Sequence, residues 1–312
     1  QPPYQESSMY SLSWYLRGIN EFDEGKRAAS QNKQKRANQL LDQAATSFHQ
    51  AFTLLQNQDP QRAALCLKYQ AEALYRQNTE EKCLQAFNIF ENLVNEHQQQ
   101  LFSLSDPSEI LYLRGMVASE LSNITGKEEF AKIAEQSMFQ ILANFSEGQY
   151  VEPALYFLGT AFFQQGNHSR AQTMFLKLAS EHPQSPRAGD ALFWAAESAD
   201  WLQQDRQTIK NYRQQVFEDY PDSTYAAEAY FTFYTYSEYL QGSPQAIQHL
   251  HKMKELFPSS PFLVNAHYLI GLDHQKNRKD EEGNILRHRD LNASVEAFQE
   301  AKRSFDYCYD HN

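Results

Sequence analysis

Apolar residues recur along almost the whole chain at spacings of three and four, the period of an amphipathic α-helix. The stretch from Pro153 to Pro183 shows the pattern clearly: PALYFLGTAFFQQ is one amphipathic segment, GNH a turn, and SRAQTMFLKLASEH a second segment. We expect Ser169 to cap the second helix and Pro183 to end it, because proline cannot continue the helical hydrogen-bond ladder. No segment alternates apolar and polar residues convincingly as a strand does, so the pattern predicts an all-α fold.

One motif occurs three times in the second half of the chain. Pro183, Pro221 and Pro258 are separated by 38 and 37 residues. Each is followed by Ser two positions on, Ala eight positions on and an aromatic residue ten positions on. Self-similarity at such a period is typical of repeat proteins, in which each helical hairpin buries its apolar face only against its neighbours.

The same pattern, followed along all 312 residues, predicts about seven helical hairpins. We expect residues 1–8 to be disordered and residues 9–312 to form a single superhelical domain, with divergent hairpins over 9–145 and clearer repeats over 150–310. The last hairpin contains a long polar turn insertion at about 276–290. The predicted hairpins span residues 9–56, 59–97, 107–145, 153–183, 186–219, 223–257 and 261–308.

The hairpin over 152–185 matches the tetratricopeptide pattern at eight positions. The matching residues are Leu155, Leu158, Gly159, Phe162, Gly166, Ala171, Phe175 and Pro183. Gly159 and Ala171 are small where the two helices of the hairpin are expected to cross, and Phe175 is expected to fill space between hairpins. The chain therefore resembles the tetratricopeptide-repeat (TPR) superfamily, which implies a right-handed α-solenoid.

The phrases YPDSTYAAEAYF and HPQSPRAGDALFW also resemble repeats of bacterial envelope TPR proteins, of the Tol–Pal coordinator and outer-membrane assembly lipoprotein type. This closer resemblance covers roughly residues 150–275. It implies a non-enzymatic scaffold that binds a protein or peptide segment, in a periplasmic or outer-membrane-associated location. A cytoplasmic chaperone or regulatory module, for example of a secretion system, is the alternative. The helical domain of a longer enzyme is a third interpretation.

Charge and composition exclude several classes of partner. The formal net charge is −11, whereas nucleic acids and anionic membranes select basic proteins. No apolar run approaches the roughly 18 residues of a membrane-spanning helix. The negative charge leaves basic proteins and peptides open as partners. Because no polar capping helix precedes Asn312, we expect this end of the solenoid either to be truncated or to be covered, by a partner or by self-association with a second copy.

No catalytic, cofactor or metal motif stands out. The chain has no HExxH, GxSxG, Walker or GxGxxG sequence. Three cysteines are too few for a disulfide framework, and Cys66 and Cys83 fit small core positions better than reactive thiols. Solvated or capping roles explain the densest group of histidines better than a metal site does. That group comprises His249, His251, His267 and His274.

The candidate binding surface follows from the TPR resemblance. In stacked TPR hairpins the first helix of each pair lines a concave groove, and positions 5, 9, 12 and 13 point into it. Aromatic rings there supply rigid contact area, and carboxylates select basic groups. The alternative is that position 5 packs against the next hairpin and tolerates aromatic residues for that reason. The predicted groove residues are Tyr156, Phe163, Phe193, Glu197, Asp200, Trp201, Phe231, Glu238, Tyr239 and Tyr268, with Thr160, Gln164, Thr235, Leu272 and Gln275 beside them.

Overall fold

The computed structural model describes residues 8–96, 106–235, 245–276, 278–279 and 285–311. These residues form fourteen helices, which follow one another as seven helical hairpins and confirm the predicted all-α repeat fold. None of the described helices combines the length and apolar character needed to cross a membrane. The helices are α1 (Ser8–Ser30), α2 (Gln34–Leu55), α3 (Pro60–Tyr75), α4 (Glu80–Glu96), α5 (Pro107–Thr125), α6 (Glu128–Asn144), α7 (Val151–Gln164), α8 (His168–Glu181), α9 (Ala188–Trp201), α10 (Arg206–Asp219), α11 (Ala226–Tyr234), α12 (Gln245–Leu256), α13 (Phe262–His274) and α14 (Leu291–His311).

The chain divides into two compact units, Gln1–Phe157 and Leu158–Asn312. The core of the first unit gathers aromatic and aliphatic side chains from its three hairpins, among them Phe22, Leu41, Phe48, Phe90 and Leu121. The second unit has one cluster around Leu192, Phe193 and Val216 and another around Tyr230, Leu250 and Ile270. The single superhelical domain over 9–312 stays a prediction. The disorder predicted for 1–8 concerns residues 1–7, which lie outside the described residues; α1 begins at Ser8.

The turn insertion of the last hairpin corrects the expectation that the chain contains no strand. β1 (Arg278–Lys279) and β2 (Ile285–Arg287) pair antiparallel, with Arg278 opposite Arg287 and Lys279 opposite Ile285. Two extended segments close in sequence satisfy one another's backbone N–H and C=O groups in this way. The helical periodicity that surrounds the insertion gives no signal for so short a ladder.

The turn between α7 and α8 ends two residues earlier than the sequence suggested. Gly166 adopts a left-handed conformation, with φ of 74°. Asn167 then serves as the N-cap, because its side-chain oxygen accepts a hydrogen bond from the backbone N–H of Arg170 at 3.3 Å. The helix begins at His168, so Ser169 lies inside its first turn and the expectation that Ser169 caps it is wrong.

The three repeated Pro-x-Ser motifs build the same turn between successive hairpins. In each, the serine N–H donates to the carbonyl three residues before it, and the serine hydroxyl accepts from the N–H two residues after it. The N–H bonds are Ser185 to His182 (2.9 Å), Ser223 to Tyr220 (2.9 Å) and Ser260 to Phe257 (3.1 Å). The hydroxyl bonds come from Arg187 (3.0 Å), Tyr225 (3.2 Å) and Phe262 (3.2 Å). The motif therefore ends one hairpin and begins the next, which explains its repetition.

Glycines on the first helix of a hairpin face large side chains on the second. A Cβ added at Gly159 would lie 2.5 Å from Phe175 Cε1, well inside van der Waals contact. Phe175 is fully buried. The predicted crossing of α7 and α8 at this glycine is therefore confirmed. The same relation holds between Gly18 and Phe48 (2.8 Å) and between Gly271 and Phe298 (2.5 Å).

Cys66 and Cys83 are buried core residues, as expected, and neither forms a disulfide. Burial raises the pKa of the Cys66 thiol to about 12 and that of Cys83 to about 11. Neither is therefore a thiolate near neutral pH, so neither has the character of a reactive cysteine. The side chain of Cys308 lies outside the described residues.

Candidate functional site

The predicted groove residues are distributed over both units. Tyr156 lies in the first unit, where it is partly buried. Glu238 and Tyr239 lie outside the described residues. The remaining members, on α7, α9, α11 and α13, all belong to the second unit. Their binding role stays a prediction. Within the second unit, these residues differ in exposure and in the side chains that they contact.

The aromatic residues at position 5 of α9 and α11 pack against the turn that begins the next hairpin. Phe193 is 3% exposed and stacks on Tyr225, with ring centroids 4.4 Å apart and planes 6° apart. Phe231 is partly buried and packs on Phe262 at 5.6 Å. Tyr225 and Phe262 are also the turn residues whose backbone N–H groups donate to the motif serines. These contacts support the packing alternative for Phe193 and Phe231.

Trp201, by contrast, is 67% exposed and forms the outer edge of an aromatic cluster. Its indole stacks on the His168 imidazole, with centroids 5.1 Å apart and planes 8° apart. Phe163 meets the rings of His168 at 5.0 Å and Trp194 at 4.9 Å, both edge to face. The cluster joins α7, the start of α8 and α9. It holds a large exposed ring in place, so that a ligand would find rigid apolar contact area there.

The two predicted carboxylates of α9 bind an arginine on the second helix of the same hairpin. Arg213 on α10 is buried, and its Nη2 donates to Glu197 Oε1 at 2.8 Å and to Asp200 Oδ2 at 3.0 Å. Such charge-assisted bonds fix both carboxylates. The Glu197 side chain is mostly buried, whereas that of Asp200 is more than half exposed. Among the described residues, Arg213 Nε has no hydrogen-bond partner.

A third carboxylate, Glu228 on α11, completes this charged group. Burial raises the pKa of Glu228 above its usual value, the charge of Glu197 raises it further, and Arg213 opposes both effects. One guanidinium cannot neutralise three carboxylates, so the group retains negative charge when all are ionised. Because Glu197 and Asp200 also lie in the last turns of α9, where the helix dipole is negative, the surface favours a further cation.

Sequence reasoning missed four members of this surface: His168, Trp194, Arg213 and Glu228. Arg213 had a signal. It stands 38 residues after Phe175, the spacing that also separates Pro183 from Pro221, and therefore occupies a large apolar position of the repeat. A charged residue at such a position needs carboxylates nearby to be buried at low cost, and α9 supplies them. His168 and Trp194 had no comparable signal, because both lie outside the template's groove positions.

The remaining predicted residues fall at separate places. Phe163 and Trp201 both contact His168. Glu197 and Asp200 both bind Arg213. Tyr268 lies apart from these groups on α13, where its ring contacts Phe298. The residues predicted beside them are partly buried or exposed. They are Thr160, Gln164, Thr235, Leu272 and Gln275.

The histidines of the last two hairpins do not form a metal centre in the part of the chain that the structure describes, where no group of three or more suitable ligands occurs. His249 stacks on Tyr234, with ring centroids 3.8 Å apart. His267 is buried, so a solvated or capping role is wrong for it. The reason is its spacing: Leu263 and Ile270, four before and three after, share its core-facing side of α13. Burial accordingly lowers the pKa of His267.

Comparison with known proteins places repeats of one family in this chain. The model of the tetratricopeptide repeat matches residues 153–185 and 190–223. No curated protein matches the chain.

Several solved structures are similar to it at low identity. The crystal structure of MamA is 15% identical with a TM-score of 0.40, covering 57% of this chain and 91% of that chain. The Rap conjugation gene regulator of the plasmid pLS20, in complex with the Phr* peptide, is 14% identical with a TM-score of 0.41, covering 99% and 79%. A tetratricopeptide repeat protein from Parabacteroides merdae ATCC 43184 is 14% identical with a TM-score of 0.34, covering 92% and 99%. The two matched repeats support the TPR superfamily for this chain, and TPR repeats in turn suggest a protein–protein interaction scaffold.

Proposed function

We propose that this chain is a non-enzymatic scaffold that binds a protein or peptide segment on its second unit, at the C-terminal end of α9. The observation that carries the proposal is Trp201, an indole that is 67% exposed and yet held by stacking on His168. Tryptophan is the side chain most enriched among residues that dominate binding energy at interfaces. A ring that is ordered before binding loses little conformational entropy when a partner covers it.

The charged group beside Trp201 selects a partner with basic groups. Asp200 precedes Trp201 in sequence and is itself exposed, and Arg213 holds it together with Glu197. The excess of carboxylate charge attracts a lysine or arginine side chain, and the indole offers a face for the same cation. A partner that places a basic residue next to an apolar one therefore matches this surface.

We further propose a periplasmic or outer-membrane-associated location. The support is the resemblance of the two junction phrases to envelope TPR proteins. Fractionation of the source cells, with detection by an antibody raised against residues 8–311, tests the location. Recovery with periplasmic or outer-membrane markers is the expected result, whereas recovery with cytosolic markers favours the chaperone or regulatory alternative.

Selection from a random peptide library tests the binding proposal. Dodecapeptides displayed on phage are selected on the immobilised full chain, on Trp201→Ala and on Leu256→Ala. Leu256 is the matched control, because it is a 47% exposed apolar residue on α12. We expect the wild type and Leu256→Ala to enrich the same peptides, rich in Lys or Arg beside an apolar residue. Trp201→Ala should not enrich them.

Salt separates the contributions of the ring and the carboxylates. An enriched peptide should bind the wild type more weakly as ionic strength rises, because salt screens partly exposed charges. Glu197→Gln and Glu228→Gln should reduce that salt dependence. Enrichment of identical peptides by Trp201→Ala, or of acidic peptides by the wild type, would contradict the proposal.

A further inference from the structure

The first unit contains a cavity of about 380 Å³ between α1, α2, the end of α3 and α5. Small-molecule sites usually have volumes of about 300–1,000 Å³, so this cavity suits a ligand at the small end of that range. The surface around Trp201 belongs to the second unit and does not include it. The residues that line the cavity include Lys26, Ala29, Leu41, Tyr75, Arg76 and Glu120.

Part of this lining is apolar and belongs to the core of the first unit. Leu41 is only 2% exposed, and the ring of Tyr75 is partly buried against the same cluster of side chains. The methyl group of Ala29 adds further apolar surface. The cavity can therefore accept an apolar group, while polar residues of the lining bind the rest of a ligand.

Glu120 on α5 supplies a carboxylate that lacks a counter-charge. It is partly buried, and no residue in the described part of the chain forms an ion pair with it. Burial raises the pKa of Tyr75, the charge of Glu120 raises it further, and Arg76 opposes both effects. The Tyr75 hydroxyl is therefore close to both charged groups and stays protonated near neutral pH. A carboxylate that has lost part of its hydration favours a bound cation.

Lys26 and Arg76 hold positive charge over one buried ring. The Lys26 ammonium lies 4.7 Å from the centroid of Phe22, and the Arg76 guanidinium lies 5.5 Å from it. Lys26 is paired with Asp23 at 2.8 Å. Arg76 directs Nε and Nη2 to Glu72. Because an ammonium has three hydrogens and a guanidinium five, both cations retain donors that these ion pairs do not use. They can therefore bind a further carboxylate.

We propose that this cavity binds a small zwitterion, namely an α-amino acid with an apolar side chain. The ammonium group of the ligand binds Glu120, and its carboxylate binds Lys26 and Arg76. The protonated hydroxyl of Tyr75 donates to the same carboxylate, and the ligand's side chain packs on Leu41. A simple amine would leave the cations unused, and a simple acid would leave Glu120 without a counter-charge. Only a ligand with both charges matches both sets of groups.

Calorimetric titration of the full chain tests this proposal. The probes are the L-amino acids leucine, valine, methionine and phenylalanine. N-acetyl-L-leucine, which lacks the ammonium group, and isoamylamine, which lacks the carboxylate, are matched to leucine. We expect at least one of the four amino acids to bind with a dissociation constant below about 1 mM. If leucine is among them, each matched compound should bind at least about tenfold more weakly than leucine.

Two variants assign the binding to this cavity. Glu120→Gln keeps the size of the side chain and removes its charge, and it should weaken amino-acid binding at least about tenfold. Arg76→Gln should do the same, and because Arg76 is exposed, its replacement leaves the core intact. Glu147→Gln is the control, an exposed carboxylate elsewhere in the first unit, and should bind within about twofold of the wild type. Far-ultraviolet circular dichroism checks that each variant is folded.

Three results would overturn the proposal. The first is that none of the four amino acids binds at about 10 mM. The second is that N-acetyl-L-leucine or isoamylamine binds as tightly as leucine, which would show that a zwitterion is not selected. The third is unchanged amino-acid affinity in Glu120→Gln or in Arg76→Gln. The peptide site at Trp201 can fail while this site holds, and the reverse is also true, because the two experiments use different residues and different ligands.

Discussion

The replacement of Gly159 by alanine tests the packing that defines these hairpins. The new Cβ would lie 2.5, 2.7 and 2.8 Å from Cε1, Cδ1 and Cζ of Phe175. Carbon atoms in contact normally lie about 3.5–4.0 Å apart, so the buried ring must move by about 1 Å or the helices must separate. Overpacking of this kind costs about 1–3 kcal/mol, and alanine recovers about 1 kcal/mol through its helix propensity. The net expected loss is roughly 1 kcal/mol of unfolding free energy.

Gly115→Ala is the matched control in the first unit. Its new Cβ would lie 2.6 Å from Met138 Cε, a distance similar to that at Gly159. That atom is the end of a flexible side chain and can move at little cost, whereas Ser137 Cβ, at 3.1 Å, is fixed to its helix and must give by a few tenths of an ångström. Gly115→Ala should therefore lose less stability than Gly159→Ala. The two variants differ mainly in the stiffness of the nearest neighbour.

Urea unfolding, followed by far-ultraviolet circular dichroism and by tryptophan fluorescence, measures both effects. Phe175→Leu removes the part of the ring that the new methyl group meets. The Gly159→Ala/Phe175→Leu double variant should therefore lose less stability than the sum of the single variants, by about 1 kcal/mol. Additive losses, or a Gly159→Ala variant as stable as Gly115→Ala, would refute the argument from helix crossing.

Three further predictions concern the turns, a buried histidine and the thiols. Ser223→Ala removes both the hydrogen bond from Tyr225 N–H and the 2.6 Å bond to Asp190. It should lower the free energy of unfolding in urea by about 1–2 kcal/mol, more than Ser185→Ala does. Equal losses in the two variants would contradict a role for Asp190. Burial lowers the pKa of His267; Glu300 opposes this shift and Lys254 adds to it. His267 therefore binds a proton more readily in the unfolded chain than in the folded one. The stability of the wild type should therefore fall as pH drops below about 6.5. In thermal melts at a series of pH values, the stability of the His267→Leu variant should fall less steeply. Parallel stability curves for the two proteins would count against this. In a Cys308→Ser variant, iodoacetamide should label Cys66 and Cys83 at least about a hundredfold faster in urea than in buffer at pH 8. Fast labelling of the folded chain would contradict the burial of these thiols.

Much of the fold could be predicted from the sequence because hairpin packing follows local rules. The Pro-x-Ser motif appears three times and builds one turn three times, since each of its hydrogen bonds lies within four residues of sequence. The pairing of Gly159 with Phe175 follows equally from repeat position. Both depend on neighbours that a repeat template specifies.

The candidate site was less predictable, because its members depend on neighbours that the template does not specify. Whether a position-5 ring faces a groove or the next hairpin depends on the residue at the following turn, and Tyr225 supplies a ring for Phe193 to stack on. The carboxylates of α9 depend likewise on Arg213, which replaces an apolar residue of the repeat. The exposure of Trp201 was consistent with its template position, but its stacking partner His168 belongs to another hairpin.

The measurement that tests the central claim most directly is a calorimetric titration of one library-selected basic peptide into three forms of the full chain. The account predicts that Trp201→Ala weakens binding at least about tenfold, or 1.4 kcal/mol, while Leu256→Ala stays within about twofold of the wild type. Equal affinity for the wild type and Trp201→Ala would contradict a binding surface at the end of α9.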